Sequence, residues 1–416
     1  MKSKVTGSLL FGLAFLLTLT ISARPDGRDQ DDRDRDQQEC REVEHNAKTP
    51  LEAIGVIGLP GNPLTSSDIA WVDPGTERLY FADRSNKGVD IIDAENDTFV
   101  GRVPGFAGPS SETVTNGSGP GGVLVTPDRK LWAGDGNTMV RVADVDPASP
   151  KYLTIIKSFD VSTDVPPNNC RPHCNRADEV GYDPKHHKIL AAIDQPRSAT
   201  DATKRIAPYA ALIDAKTDGV QIVTIPNITP AGGLEQPLWD GELGRFFLTV
   251  PSVNGGNGEI AVIDPTLGVV EKTYSVGNCA PSGEVLAPFQ LLVVECGNDS
   301  RLIYLNALTG KIIAPATPNV PGDELWFNPG DDLIYAANND TNVLNVVNPQ
   351  THKVIQSLSD VGGRNQAAFA ENNHVFTPVR TTSAFVKTPA SDNTQCSLFG
   401  FKGTGCVAVF AHEDKR

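Results

Sequence analysis

The sequence predicts an all-β fold, a seven-bladed β-propeller built from four-stranded blades. A pattern of four short apolar segments recurs seven times between residues 51 and 412. Residues that favour turns (Pro, Gly, Asn or Asp) follow these segments. The repeat has a period of roughly 40–50 residues, which is typical of a propeller blade. No long segment with helical periodicity interrupts it.

The sixth repeat shows the pattern most clearly. Its first strand is predicted within 323–329, and its second, third and fourth strands within 332–337, 343–348 and 353–357. The other repeats align on this first strand. The seven first strands are expected to begin near Asp68, Gly121, Asp178, Glu235, Ser282, Asp323 and Asn365.

The two ends of the repeat region predict how the ring closes. The seventh repeat has its third strand at Val407–Phe410 and only six residues after it, so it lacks an outer strand. The apolar segment Ala53–Gly58 precedes the first repeat and is expected to supply that strand. Closure is physically favoured because an open ring would expose unpaired strand edges.

At its second strands the chain resembles the YVTN family of β-propellers, in which this strand typically reads Tyr-Val-Thr-Asn. The nearest matches are Tyr335-Ala336-Ala337-Asn338 and Leu79-Tyr80-Phe81-Ala82-Asp83. The resemblance extends over residues 51–412 and implies the propeller fold. It implies no particular activity, because one fold hosts many functions.

The N-terminal region is predicted to lie outside the propeller, which is expected to span residues 48–413. Two lysines followed by an apolar run are typical of a signal peptide over residues 1–23. The run is short for a membrane-spanning helix, so stable membrane insertion is not expected. Residues 24–47 alternate acids and arginines with almost no apolar side chains, which predicts a disordered tail. We therefore expect a secreted protein, or a periplasmic one in a Gram-negative bacterium.

The charge balance excludes some classes of partner. The formal net charge is −15. Nucleic-acid binding requires basic patches that face phosphates, so it is not expected. Anionic membrane surfaces are disfavoured for the same reason.

Seven cysteines in an exported chain are expected to form disulfides. Their positions favour three local pairs and leave Cys40 alone in the tail: Cys170 with Cys174, Cys279 with Cys296, and Cys396 with Cys406. The Cys170–Cys174 spacing is unusual for a zinc site. Asn-X-Ser/Thr sequons permit a glycoprotein in a eukaryotic host, at Asn96, Asn116, Asn227, Asn298 and Asn339.

Polar residues recur where the first strands start and where the second strands end, and both places face one rim of the channel in a propeller. The candidates for binding a ligand or a metal ion are Asp68, Glu179, Glu235, Glu284, Glu324 and Asn338, with Asp178 and Asp323 as alternatives to their neighbours. Converging carboxylates repel one another unless a cation, a basic side chain or protons intervene. Ca²⁺ is the natural cation, because it takes six to eight oxygen ligands.

Two alternatives to a metal site stay open at this stage. Arg84, Arg176 and Arg364 could pair with the same carboxylates. Acids at strand starts could also serve only to cap turns by accepting hydrogen bonds from free backbone N–H groups.

Two functional classes follow from the sequence. The first is an exported propeller that binds a small molecule, a glycan or a protein partner at an acidic channel rim. The second is a divalent-metal-dependent hydrolase that resembles the lactonases of the senescence-marker and gluconolactonase group. That resemblance implies an ion held by Glu, Asn and Asp that polarises a carbonyl group. The residue types are present around the rim, but the motifs do not align position by position, and no catalytic residue is predicted.

Overall fold

The structure of the protein is a computed structural model. It describes residues 50–109, 117–164, 170–171, 175–198, 200–230, 232–338, 341–359, 361–381 and 394–412. All of these residues belong to one compact unit. The predicted signal peptide and the predicted 24–47 tail lie outside the described residues, so both stay predictions. None of the described helices is long and apolar enough to span a membrane.

Seven four-stranded antiparallel sheets form the blades, as the sequence predicts. The first described strand, β1 (Leu51–Ile57), belongs to the last blade. Blade one contains β2 (Ala70–Asp73), β3 (Arg78–Asp83), β4 (Gly88–Asp93) and β5 (Thr98–Pro104), and blade two contains β6 (Val123–Thr126), β7 (Lys130–Asp135), β8 (Met139–Asp144) and β9 (Thr154–Asp160). Blade three contains β10 (Val180–Asp183), β11 (Lys188–Ile193), β14 (Tyr209–Asp214) and β15 (Val220–Thr224). A separate hairpin, β12 (Arg197–Ser198) and β13 (Asp201–Arg205), is inserted between β11 and β14.

The remaining four blades follow the same plan. They contain β16 (Pro237–Asp240), β17 (Arg245–Val250), β18 (Glu259–Asp264) and β19 (Val269–Ser275); β20 (Pro281–Ala287), β21 (Leu291–Cys296), β22 (Arg301–Asn306) and β23 (Thr317–Pro318); β24 (Trp326–Asn328), β25 (Leu333–Asn338), β26 (Val343–Asn348) and β27 (Lys353–Ser359); and β28 (Ala367–Phe369), β29 (His374–Val379) and β30 (Cys406–His412). One short helix, α1 (Gln395–Leu398), precedes β30.

The N-terminal strand closes the ring, as predicted. β1 pairs antiparallel with β30, from Leu51 opposite His412 to Ile57 opposite Val407. The side chain of Gln356 on β27 then holds β1 against the sixth blade. Its Oε1 accepts from the backbone N–H of Leu51 at 2.7 Å, and its Nε2 donates to the Leu51 carbonyl at 2.8 Å. β1 thus joins the last blade and also fastens it to its neighbour.

The first strands of all seven blades contact one another in ring order, including β2 with β28 across the closure. The apolar core lies between adjacent blades. Between blades seven and one, for example, Phe369 and Phe376 pack with Leu79 and Phe81. Each blade therefore buries one face against each neighbour, and the first strands surround a central channel.

Polar residues that end the strands serve the turns. The Oδ1 of Asp214 accepts from the backbone N–H groups of Lys216 and Thr217 at 2.9 Å. Asp240, at the end of a first strand, accepts in the same way from Glu242 and Leu243. The recurrent Asp or Asn of the sequence pattern is therefore a turn-capping residue at these positions.

Disulfides reinforce two blades. Cys279 and Cys296 join the two ends of the β20–β21 hairpin, with Cα atoms 5.0 Å apart. Cys396 and Cys406 join α1 to β30, with Cα atoms 5.6 Å apart. Cys170 is disulfide-bonded. Its expected partner Cys174 lies outside the described residues, as does Cys40.

Removal of β1 should weaken the whole propeller. We expect a variant that begins at residue 58 to lose the burial of Leu51 and Ile57, which are 1% and 6% exposed. At about 1.5–3 kcal/mol for each buried side chain, the free energy of unfolding should fall by about 3–6 kcal/mol. Urea denaturation followed by circular dichroism measures it. The matched control begins at residue 50 and keeps the strand; equal stability of the two variants would contradict the closure.

Candidate functional site

Carboxylates from several blades meet where the first strands begin. We call this end of the channel the acidic mouth and define it by Asp68, Asp178, Glu179, Asp194, Glu235, Asp323 and Glu324 together with Arg84, Arg176, Arg364 and Arg380. Four of the six ligand candidates from the sequence lie here: Asp68, Glu179, Glu235 and Glu324. Both members of each alternative pair are also present, since Asp178 and Asp323 stand beside Glu179 and Glu324.

Arginines neutralise the aspartates of the mouth and tie separate blades together. Arg84 forms ion pairs with Asp68 of its own blade and, at 3.6 Å, with Asp178 of the third blade. The Nε and Nη2 of Arg364 both donate to the Asp323 carboxylate, the Nη2 at 2.8 Å. The Nη1 of the same side chain lies 3.8 Å from the Oδ1 of Asp68. Burial acts to raise the pKa of Asp68, but Arg84 and Arg364 outweigh it, so this pKa lies below its ordinary value. The arginine alternative raised by the sequence therefore holds for these aspartates.

Two glutamates meet across the channel. Glu179 and Glu324 belong to blades three and six, which are not neighbours in the ring, and their carboxyl groups lie close enough for each to influence the pKa of the other. Burial raises the pKa of both well above the ordinary value. Repulsion from Glu324 raises the pKa of Glu179 further. Two carboxyl groups so close together favour the state in which at least one is protonated, because two adjacent negative charges repel each other.

Glycines in the adjoining blades allow this close approach. A Cβ on Gly122 would stand 2.5 Å from the Cα of Glu179, and one on Gly283 would stand 2.8 Å from the Cα of Glu324. Any larger residue at these two positions would push the neighbouring first strand away. The glycines thus let the first strands carrying the glutamates pack tightly around the channel.

Glu235 and Asp194 form the least neutralised part of the mouth. Glu235 is half-buried, and its backbone N–H donates to the Thr249 carbonyl at 3.2 Å, but its carboxylate makes no hydrogen bond or ion pair within the described part of the chain. Burial raises its pKa well above the ordinary value, with further increments from Asp194 and Glu179. Burial also raises the pKa of Asp194 to about 7, despite the opposing charge of Arg176. Among the described residues no arginine forms an ion pair with Glu235 as Arg364 does with Asp323, although Arg176 and Arg364 attract Glu235 at longer range.

Glu284 and Asn338 lie apart from the other candidates. Glu284 takes the register position of Val180 and Leu325, whose side chains face neighbouring blades rather than the channel. Its carboxylate is fully buried, neither oxygen has a hydrogen-bond partner, and burial alone raises its pKa well above the ordinary value. Asn338 donates to the Gly322 carbonyl at 3.2 Å and accepts from the Thr341 N–H at 3.1 Å, so it braces its own loop.

Sequence reasoning missed Arg380. This side chain donates to Ser67 in the first blade, with Nε 3.1 Å from the Ser67 Oγ. Burial, together with the positive charge of Arg364, lowers its pKa to about 10. Arg380 follows β29 directly, just as Arg84 follows β3. Alignment of the residues immediately after the second strands would have revealed it.

The opposite end of the channel is apolar. Trp71 and Trp326 meet edge to face, with ring centroids 5.6 Å apart. They belong to blades one and six, between which blade seven carries only Ala367 at the same register position. The two rings therefore meet over the small residue.

Within the described ranges, no group of three or more His, Cys, Asp or Glu side chains is arranged to hold a metal ion. The Ca²⁺ site inferred from the sequence stays a prediction.

The buried carboxyl of Glu284 should make stability depend on pH. A pKa raised in the folded state means that the folded protein holds a proton that the unfolded chain releases above about 4.5. Stability is therefore lost as pH rises from 4.5 through the folded-state pKa. We expect Glu284→Gln to raise the melting temperature by about 2–4 °C near pH 8 and to change it little near pH 4. Glu242→Gln, at an exposed position in the β16–β17 turn, is the control; a pH-independent effect of Glu284→Gln would refute the explanation.

Comparisons with known proteins show the fold. No protein-family model matches the sequence, and no curated protein matches it. A chain in a structure described as "Crystal Structure of Mitotic Checkpoint Complex" is similar at 14% identity and a TM-score of 0.58, covering 97% of this chain and 99% of that one. The β-propeller domain of Cps50 (Swd1) from Myceliophteria thermophila is similar at 10% identity and a TM-score of 0.60, covering 88% of this chain and all of the domain. At these identities the likeness establishes a seven-bladed β-propeller, whereas the YVTN and lactonase resemblances stay predictions.

Proposed function

We propose that this protein is an exported binding protein whose partner presents a positively charged group to the acidic mouth. The observation that carries the proposal is the uneven neutralisation of the mouth. Asp68 and Asp323 have arginine partners, whereas Glu235 has none within the described residues and Glu179 and Glu324 have only each other. A cation from outside would relieve the repulsion that remains.

The accessibility of the residues favours the same partner chemistry. Glu235, Asp323 and Arg364 are half-buried and reach solvent, while the Glu179–Glu324 pair is buried beneath them. The net charge of −15 adds a long-range attraction for cations. A neutral glycan would gain hydrogen bonds at this site but would leave the carboxylates without compensation. A basic group is therefore the better match.

A protein partner is the favoured source of that group. β-Propellers commonly bind proteins, and one of the similar solved structures is described as a multiprotein complex. Export is supported by the disulfides Cys279–Cys296 and Cys396–Cys406, which persist in oxidising compartments. Rigid blades around the mouth also suit a partner that inserts one side chain into a fixed site.

Binding of a basic peptide tests the proposal. We expect an oligolysine peptide to bind and an oligoglutamate peptide not to bind. The affinity for oligolysine should decrease as the salt concentration rises from about 0.05 to 0.5 M, because salt screens the charges. Asp323→Lys should weaken binding by at least about tenfold, because it reverses a charge at the mouth. Isothermal titration calorimetry measures each affinity.

Glu242→Lys is the matched control for this charge reversal. It makes the same change in net charge in the β16–β17 turn, at the opposite end of the first strand. Binding that is equally weakened by both variants would point to general electrostatics rather than to the mouth. Absence of oligolysine binding to the unaltered protein would defeat the proposal.

The hydrolase alternative draws on the same carboxylates and has a separate test. If the mouth holds a catalytic divalent ion, Ca²⁺ should raise the melting temperature and EDTA should reverse the rise, because a bound ligand stabilises the folded state by mass action. Hydrolysis of lactones should then fall in Glu235→Gln. A melting temperature that responds to neither addition would remove this alternative.

A further inference from the structure

We propose that Asp194 and Glu235 form a subsite that binds a primary ammonium group, such as the side chain of lysine. This inference rests on the proposed function and deepens it by naming one position within the mouth and one class of cation. The subsite lies between blades three and four, where the residue after β11 adjoins the segment that leads into β16.

The two carboxylates converge beside a glycine. The Oδ1 of Asp194 lies 3.2 Å, and the Oε1 of Glu235 lies 3.4 Å, from the point where a Cβ on Gly233 would stand. Both oxygens therefore border the same small space, which the absent side chain leaves open. Gly233 does not adopt a left-handed backbone conformation, so backbone strain does not require glycine here.

The second independent observation is an unpartnered buried oxygen. Asp194 is 1% exposed, and its Oδ1 has no hydrogen-bond partner. Its carboxylate does receive a long contact from Arg176 at the Oδ2, at 3.4 Å, and a hydrogen bond from the backbone N–H of Leu234. A buried carboxylate oxygen without a donor is costly, and a ligand that donates to it would recover that cost. Glu235 beside it is only half-buried, so an incoming ligand reaches the carboxylate of Glu235 first.

The surrounding charges leave this subsite negative. Asp178 and Glu179 stand close enough to raise the pKa of Glu235, whereas Arg176 and Arg364 attract it only from beyond ion-pair distance. Arg176 is engaged by Asp178 through both Nε and a terminal nitrogen. Arg205, on the inserted hairpin, is exposed and acts on Asp194 only at a distance. One further positive charge would therefore be accommodated.

The number of oxygen donors distinguishes the classes of cation. Two convergent oxygens are few for Ca²⁺, which takes six to eight. They suit an ammonium group, a compact charge with three N–H donors that can direct one to each carboxylate and one to water. A charge-assisted hydrogen bond to each oxygen would account for the partner's hold on the mouth.

Two variants test the subsite with oligolysine as the probe. Glu235→Gln should weaken binding by about tenfold, since it replaces a charged acceptor with a neutral one. Gly233→Ala should weaken it severalfold without changing any charge, because the methyl group would occupy the space between the oxygens. Glu242→Gln, with the same charge change at the far rim, should leave the affinity unaltered. Thermal unfolding of each variant separates a loss of folding from a loss of binding.

Further ligands identify the cation and its source. An oligolysine with acetylated side chains should not bind. If 1,4-diaminobutane competes with oligolysine, a free amine is the source; if only peptides compete, the source is a protein, and either result supports an ammonium subsite. Displacement of oligolysine by Ca²⁺ at the same position would overturn the proposal in favour of a metal.

The outcomes also separate the subsite from the proposed function. If Asp323→Lys weakens oligolysine binding while Glu235→Gln and Gly233→Ala do not, the mouth binds cations but the ammonium position is wrong. If oligolysine fails to bind the unaltered protein at all, the proposed function itself is wrong.

Discussion

The antiparallel pairing of β1 with β30 is the constraint on which the rest of the molecule depends. It joins the first described strand to the last one, and Gln356 then ties β1 to the sixth blade. A ring held in this way has no freedom to open, so the first strands are forced together around a narrow axis. The close contacts of Gly122 and Gly283 with neighbouring strands show how little space remains there.

This crowding determines the chemistry of the mouth. Carboxylates from separate blades are held near one another by the ring and cannot move apart to relieve their repulsion. Two features reduce this repulsion: arginines that bridge blades, as Arg84 and Arg364 do, and the raised pKa values of Glu179 and Glu324, which favour protonation of this pair. Stability and charge are therefore coupled here, and binding of an external cation would act on both. Such coupling is common where a site is built for a ligand.

Much of the fold could be predicted from the sequence because each blade repeats the same local rules. Asp68 and Asp178 were found by counting repeats alone. Glu284 shows the limit of that method: the sequence near Pro281 carries a register irregularity, and one residue of shift decides whether a side chain faces the channel or a neighbouring blade. Asn338 shows another, since a residue at a strand end can brace its loop instead of facing the rim. The contact of Glu179 with Glu324 joins blades far apart in sequence, and no local pattern encodes it.

The contact between Trp71 and Trp326 links two blades that are not neighbours, because the rings meet over Ala367 of the blade between them. It also sets large apolar surfaces beyond the charged mouth. A cationic ligand therefore finds its carboxylate partners near the opening, where a single side chain or a terminal group can reach them. Recognition of anything larger must then extend over the surrounding loops.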